Sequence, residues 1–170
     1  YDINEVGYQD IIFKYTEGGK ELQEEATIRV RAIINISLPI SLLVNAGQGG
    51  LTKSNFTIEN NSREPVLITI TNFSRQDSSL NDVLPSAYSD WSDLGLNKSK
   101  DIAIGIEAKD RWKEKKMDSP MYIANFSKKD VGIIDINSSS TLDVLVYSGS
   151  SFAKREDFSY NIIWEIKLVD

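Results

Sequence analysis

The chain predicts an all-β fold: an antiparallel β-sandwich of jelly-roll type with about eight or nine strands. Three observations carry that prediction. From Ile28 every second residue is apolar, through Val30, Ala32, Ile34, Ile36, Leu38, Ile40, Leu42 and Val44. The C-terminus repeats the pattern with Phe158, Tyr160, Ile162, Trp164, Ile166 and Leu168. Short clusters of Gly, Asn, Ser and Pro separate such stretches, and no long helical period occurs. Side chains on a strand alternate between faces, so these runs have one buried and one wet face. The even-numbered residues of 28–38 and 158–168 are therefore expected in the core.

The elements follow in order. Tyr8–Tyr15 is strand-like, and Thr16–Glu21 is polar and glycine-bearing, a turn or a linker. This divides the chain into an N-terminal strand and linker, 1–19, and one sandwich domain, 20–170. The alternation through Val44 is too long for one ordinary strand, and Pro39 cannot donate a ladder hydrogen bond. A break near Leu38–Pro39 is expected, with the two halves in different sheets. Ser54–Glu59 and Val66–Phe73 read as a hairpin across the turn Asn60–Pro65, with Phe56 and Ile58 inward. Residues 74–100 form a long polar excursion with a short helical turn around Ser89–Leu94. Strands resume at Asp101–Ala108 and Met121–Phe126. Val131–Ile136 and Thr141–Tyr147 are expected to pair across Asn137–Ser140, and the last strand spans 158–168.

Composition limits the chemistry. A length of 170 residues suits one domain, and an apolar fraction of 41% is ordinary for a folded protein. The chain has neither Cys nor His, which removes thiol nucleophiles, disulfides, Cys/His zinc sites and Ser-His-Asp triads. No cofactor or metal is expected. With 19 Lys+Arg against 25 Asp+Glu the formal charge is −6, which argues against nucleic acid as a partner. The basic run Lys109–Lys116 is interrupted by Asp110 and Glu114 and reads as a solvated strand end. No apolar run reaches the roughly 18 residues of a membrane span. The start at Tyr1 suggests either a processed or a trimmed chain; if processed, a signal peptide would already be gone.

The remaining acid/base groups are carboxylates. Glu59, Glu107 and Glu165 lie on strands opposite apolar neighbours, where wet-face positions explain them, so no catalytic residue is expected. Asp77, Asp82, Asp90 and Asp93 sit in the long loop without calcium-loop spacing. Trp164 falls on the inward register of the last strand. Tyr88 and Trp91 are the candidate ligand residues of loop 74–100, a sugar platform or a plug over the sandwich end. Seven of the twelve asparagines begin an Asn-x-Ser/Thr sequon: Asn35, Asn55, Asn60, Asn72, Asn97, Asn125 and Asn137. They mark either glycosylation or turns rich in Asn and Ser.

Leu38–Phe73, with its PISLLV strand, Gly turn and FTIENNS stretch, resembles the surface β-sandwich of Gram-positive exported proteins. The F-x-I-x-N-N stretch is similar to camelysin and TasA-like biofilm fibre subunits, and FSYNIIWEIKL to their terminal strand. The absence of His departs from a camelysin metal-ligand set, and no LPxTG-type sorting signal is present. The resemblance implies an extracellular, cell-surface homopolymer built by donating an N-terminal strand to the next subunit. The donor residues would be Ile3, Tyr8, Ile11, Ile12 and Phe13. The same segment reads equally as the first strand of the chain's own sheet. The expected function is thus a non-enzymatic filament or matrix subunit, with matrix components as further partners. The alternative is a secreted carbohydrate- or host-binding module using loop 74–100.

Overall fold

The computed structural model describes residues 7–30, 33–45, 49–75, 79–94, 100–149 and 157–169. Backbone contacts divide the chain into two units, Tyr1–Ile33 and Ile34–Asp170.

The first unit is a β-hairpin. β1 (Gly7–Glu17) pairs antiparallel with β2 (Lys20–Val30), from Gly7↔Val30 to Glu17↔Lys20. The turn is Gly18-Gly19, with φ of 59° and 80°. Both values are left-handed, as a two-residue primed turn requires, and its twist matches that of the strands. This decides between two pairs of readings that the sequence leaves open. Gly18-Gly19 is a hairpin turn and not a linker, so the boundary at residue 19 falls inside a paired ribbon. Residues 8–15 are paired within their own chain, to 22–29.

The second unit is a β-sandwich. Its strands are β3 (Ile36–Ser37), β4 (Ser41–Asn45), β5 (Gly50–Asn60), β6 (Val66–Arg75), β7 (Asn81–Asp82), β8 (Asp101–Ala108), β9 (Glu114–Lys115), β10 (Met121–Tyr122), β11 (Lys129–Ile134), β12 (Ser138–Ser148) and β13 (Asp157–Leu168). With the hairpin this makes thirteen described strands, beyond the eight or nine expected, four of them only two residues long. One sheet runs β10-β8-β12-β5-β3, with β7 parallel to the start of β8. The other runs β4-β13-β6-β11-β9. The split at Pro39 is as expected, with β3 beside β5 in one sheet and β4 beside β13 in the other.

The two predicted hairpins within the sandwich do not form. β5 pairs with β12 and β6 with β11 and β13, so the chain crosses between sheets at Asn60–Pro65. It crosses again between β11 and β12. A fully buried side chain holds the first corner. Asn60 Nδ2 donates to the carbonyls of Glu64 and Asp135 at 2.9 Å, and Asn60 Oδ1 accepts from the Ser62 N–H at 2.9 Å. The antiparallel pairs β4·β13, β5·β12, β6·β11 and β8·β10 nest one inside another.

One core lies between the sheets. It joins Ile58, Ile102, Ile104, Ile106, Leu142, Val144 and Val146 to Val66, Ile68, Ile70, Phe73, Val131, Phe158, Tyr160 and Ile162. Phe56 meets Trp164 edge to face across it, with ring centroids 6.2 Å apart. The expected register of β13 is observed: Phe158, Tyr160 and Ile162 are buried, and Trp164, Ile166 and Leu168 pack half-buried against the core. The register expected over 28–38 is observed only in part: Ile36 and Leu38 pack half-buried against the core, whereas Ile28 belongs to the hairpin and Ile34 is 45% exposed. The expected burial of Val30 and Ala32 falls outside the described side chains.

Candidate functional site: an unburied ribbon face and an open sheet edge

Directly opposed residues of an antiparallel pair share a face. The hairpin register therefore places Ile11, Phe13 and Tyr15 with Ala26, Glu24 and Leu22 on one face, next to Ile28. The other face carries Asp10, Ile12, Lys14 and Thr16 with Thr27, Glu25, Gln23 and Glu21. Cross-strand bonds tie both faces: Tyr15 Oη donates to Glu24 Oε1 at 3.1 Å, and Thr27 Oγ1 to Asp10 Oδ1 at 2.7 Å. The ribbon is amphipathic, yet its apolar face is unburied. Phe13 is 54% exposed, Tyr15 42% and Leu22 38%.

Of the five expected donor residues, Ile11 and Phe13 lie on that face. Ile12, 48% exposed, lies on the polar one. Tyr8 stands opposite Arg29 in the register, and Ile3 lies outside the described residues. Leu22, Ala26 and Ile28 complete the apolar face and were missed. The Gly-Gly turn was the available signal, because it folds residues 20–30 back onto 7–17.

The sandwich has an edge of matching length. β3 pairs with β5 only at Asn60 and Glu59, and no described strand pairs with the outer edge of β5 from Gly50 to Ile58. Phe56 is half-buried there, and Thr57, Asn55, Ser54 and Lys53 are exposed.

The loop candidates are placed differently. Trp91 is 5% exposed and packs with Tyr88, Leu94, Ala103 and Tyr147, its indole N–H donating to the Pro85 carbonyl at 2.8 Å. Tyr88 is half-buried, its ring 5.1 Å from Trp91 and its hydroxyl bonded to Asp101. Small outward residues on β8, Ala103 and Gly105, receive this aromatic cover, and a Cβ on Gly105 would lie 2.7 Å from the Tyr122 ring. The two residues therefore pack over the outer face of β8 and β12 and not over the sandwich end, and Trp91 is buried there. The expected short helical turn is a 3-10 turn at Pro85–Ala87, earlier than Ser89–Leu94.

The carboxylates disperse. Lys128 and Lys167 flank Glu165 and pull its carboxyl down to about 2. Burial pushes Asp82 up, partly offset by Arg75 at 3.1 Å. Bonds from Ser92 hold Asp90 down. Asp77 lies outside the described residues. Among the described residues no group of three Asp or Glu side chains is placed to hold a metal ion. Two lysines of the basic run form surface pairs, Lys113–Asp135 at 3.0 Å and Lys116–Glu114 at 2.8 Å. An open polar cleft of about 530 Å³ is lined by Glu59, Asn61, Arg111, Asn137, Ser138 and Ser139. Glu59 is the one carboxylate among the described residues of that lining.

No family model, no curated protein and no solved structure matches the chain.

Proposed function

We propose that this chain is a structural, non-enzymatic subunit of an extracellular filament or cell-surface matrix, and that it assembles with copies of itself through its N-terminal hairpin. The observation that carries the reading is the exposed apolar face of the ribbon. A two-stranded ribbon cannot cover its own apolar face and is marginal in water alone. Burial against another subunit would stabilise it. The donated element is the paired ribbon, in place of the single strand first expected.

The sandwich is read as a jelly roll. The nested pairs β4·β13, β5·β12, β6·β11 and β8·β10 support this, since a jelly roll is one long antiparallel hairpin rolled into two sheets. Such a body presents edges on which strands can be added. The carbohydrate- or host-binding alternative loses support at loop 74–100, where Trp91 is buried.

The test is sedimentation and negative-stain microscopy of the full chain over a concentration series. Filaments that grow with concentration support the reading. A monodisperse monomer at every concentration overturns it.

A further inference from the structure

We propose that the outer edge of β5, from Gly50 to Ile58, accepts β1 from the hairpin of a second copy of this chain, and that Pro39 keeps this edge open. The proposal rests on the assembly reading above and adds the acceptor to it.

The phase of the β3·β5 ladder gives the reason. Ile36 faces Asn60 and Ser37 faces Glu59. One step before, the Asn61 N–H donates to the Asn35 carbonyl at 2.8 Å. Hydrogen-bonded pairs recur at every second residue of an antiparallel ladder. Odd-numbered residues of β5 therefore turn their N–H and C=O toward the β3 side. After Ser37↔Glu59 the next bonded pair would set residue 39 against Thr57. Residue 39 is Pro, without an N–H. The chain leaves instead: the Trp164 indole N–H donates to the Pro39 carbonyl at 2.7 Å, and the Ile162 N–H to the Ile40 carbonyl at 3.1 Å. β4 then pairs with β13. The backbone groups of Thr57, Asn55, Lys53 and Leu51 thus face no described strand.

Long open edges are uncommon in folded proteins, which keep them short or covered. β7, β9 and β10 have two residues each, whereas this edge has nine. Its occupant needs a strand of that length with one apolar face. β1 has eleven residues, Ile11, Phe13 and Tyr15 on one face, and a second edge that pairs with no described strand. β2 suits less well, because Glu24 interrupts its apolar face. Lys53 is the one charged residue of β5 between Gly50 and Ile58, so an acidic copy meets no repulsion there.

The chain has no Cys, so introduced thiols report cleanly. Full-length Asn55→Cys and full-length chains bearing Asp10→Cys, Ile12→Cys, Lys14→Cys or Thr16→Cys, with tags of different size, are mixed before assembly and oxidised. A mixed disulfide in the filaments is expected for at least one β1 position. Asn55→Pro removes an outward N–H without touching the β12 ladder. It is expected to keep the thermal melt of the parent and raise the concentration needed for assembly by about tenfold or more. If that variant fails to fold, the disulfide decides alone. Filaments without any mixed disulfide overturn the acceptor while leaving self-assembly intact. An Asn55→Cys, Lys14→Cys double variant that closes within single monomers also overturns it. No filaments from the parent chain removes the assembly reading itself.

Discussion

Asn60 is the side chain on which the sandwich corner turns. It is fully buried and spends its amide on carbonyls from two other segments. Removing it strands those part-buried carbonyls, each at a cost of roughly 1–3 kcal/mol or less. Asn60→Ala is expected to lower stability by about 2–4 kcal/mol in urea unfolding. The same burial decides one sequon, since a glycan cannot attach to a side chain with no exposed surface. Asn60 should stay unmodified even in a glycosylating host, as intact-mass peptide mapping would check. Tyr122 carries a second residue-scale prediction. Burial first, and then its neighbour Tyr147, push its hydroxyl up to about 12. The folded value exceeds the unfolded one, so this contribution to stability is present below pH ~10 and fades as pH rises toward ~12. In an alkaline absorbance titration Tyr122→Phe should remove a late-ionising phase. These roles were hidden in the sequence. Asn60 reads there as an ordinary turn residue, and Trp91 as either a sugar platform or a plug, because burial of both depends on segments far away in the chain.

Element positions were far more legible than element partners. Alternation marked β5, β6, β8 and β13 to within a few residues, and Pro39 marked the change of sheet. Pairing was not legible in the same way. β5 has the length and pattern to pair with β6, its neighbour in sequence, yet it pairs with β12. Nothing local distinguishes the two, because the choice is made by the shared core. The hairpin is the opposite case. Its Gly-Gly turn is a local signal, and reading it as a linker hid the pairing of β1 with β2. Because Gly18 and Gly19 hold φ of 59° and 80°, a double change to Val forces a strained left-handed backbone. That variant should lose the far-ultraviolet signal of the ribbon while the sandwich keeps its unfolding midpoint. Gly132 marks another close approach: a Cβ there would lie 2.5 Å from the Trp112 ring. Gly132→Ala should cost about 1–3 kcal/mol, measured by thermal unfolding.

Two terms oppose each other in the whole molecule. The chain carries −6, so copies repel at long range. The ribbon offers Ile11, Phe13, Tyr15, Leu22 and Ile28, each only partly buried. Covering the remainder is worth roughly 4–7 kcal/mol gross at the usual value per apolar side chain, before ordering costs. The repulsion is screened by salt and the apolar term is not. Assembly should therefore strengthen as ionic strength rises from about 10 to about 150 mM, read by light scattering. A contact held mainly by ion pairs would weaken instead. The most direct measurement is the sedimentation of full-length Phe13→Asp beside the parent chain, at the concentration where the parent forms filaments. Phe13 sits at the centre of the apolar face and is 54% exposed, so the substitution leaves the sandwich core untouched. The account predicts a folded monomer with the parent's melting temperature and no filaments by negative stain. Filaments of the substituted chain, formed at the parent's concentration, would contradict it.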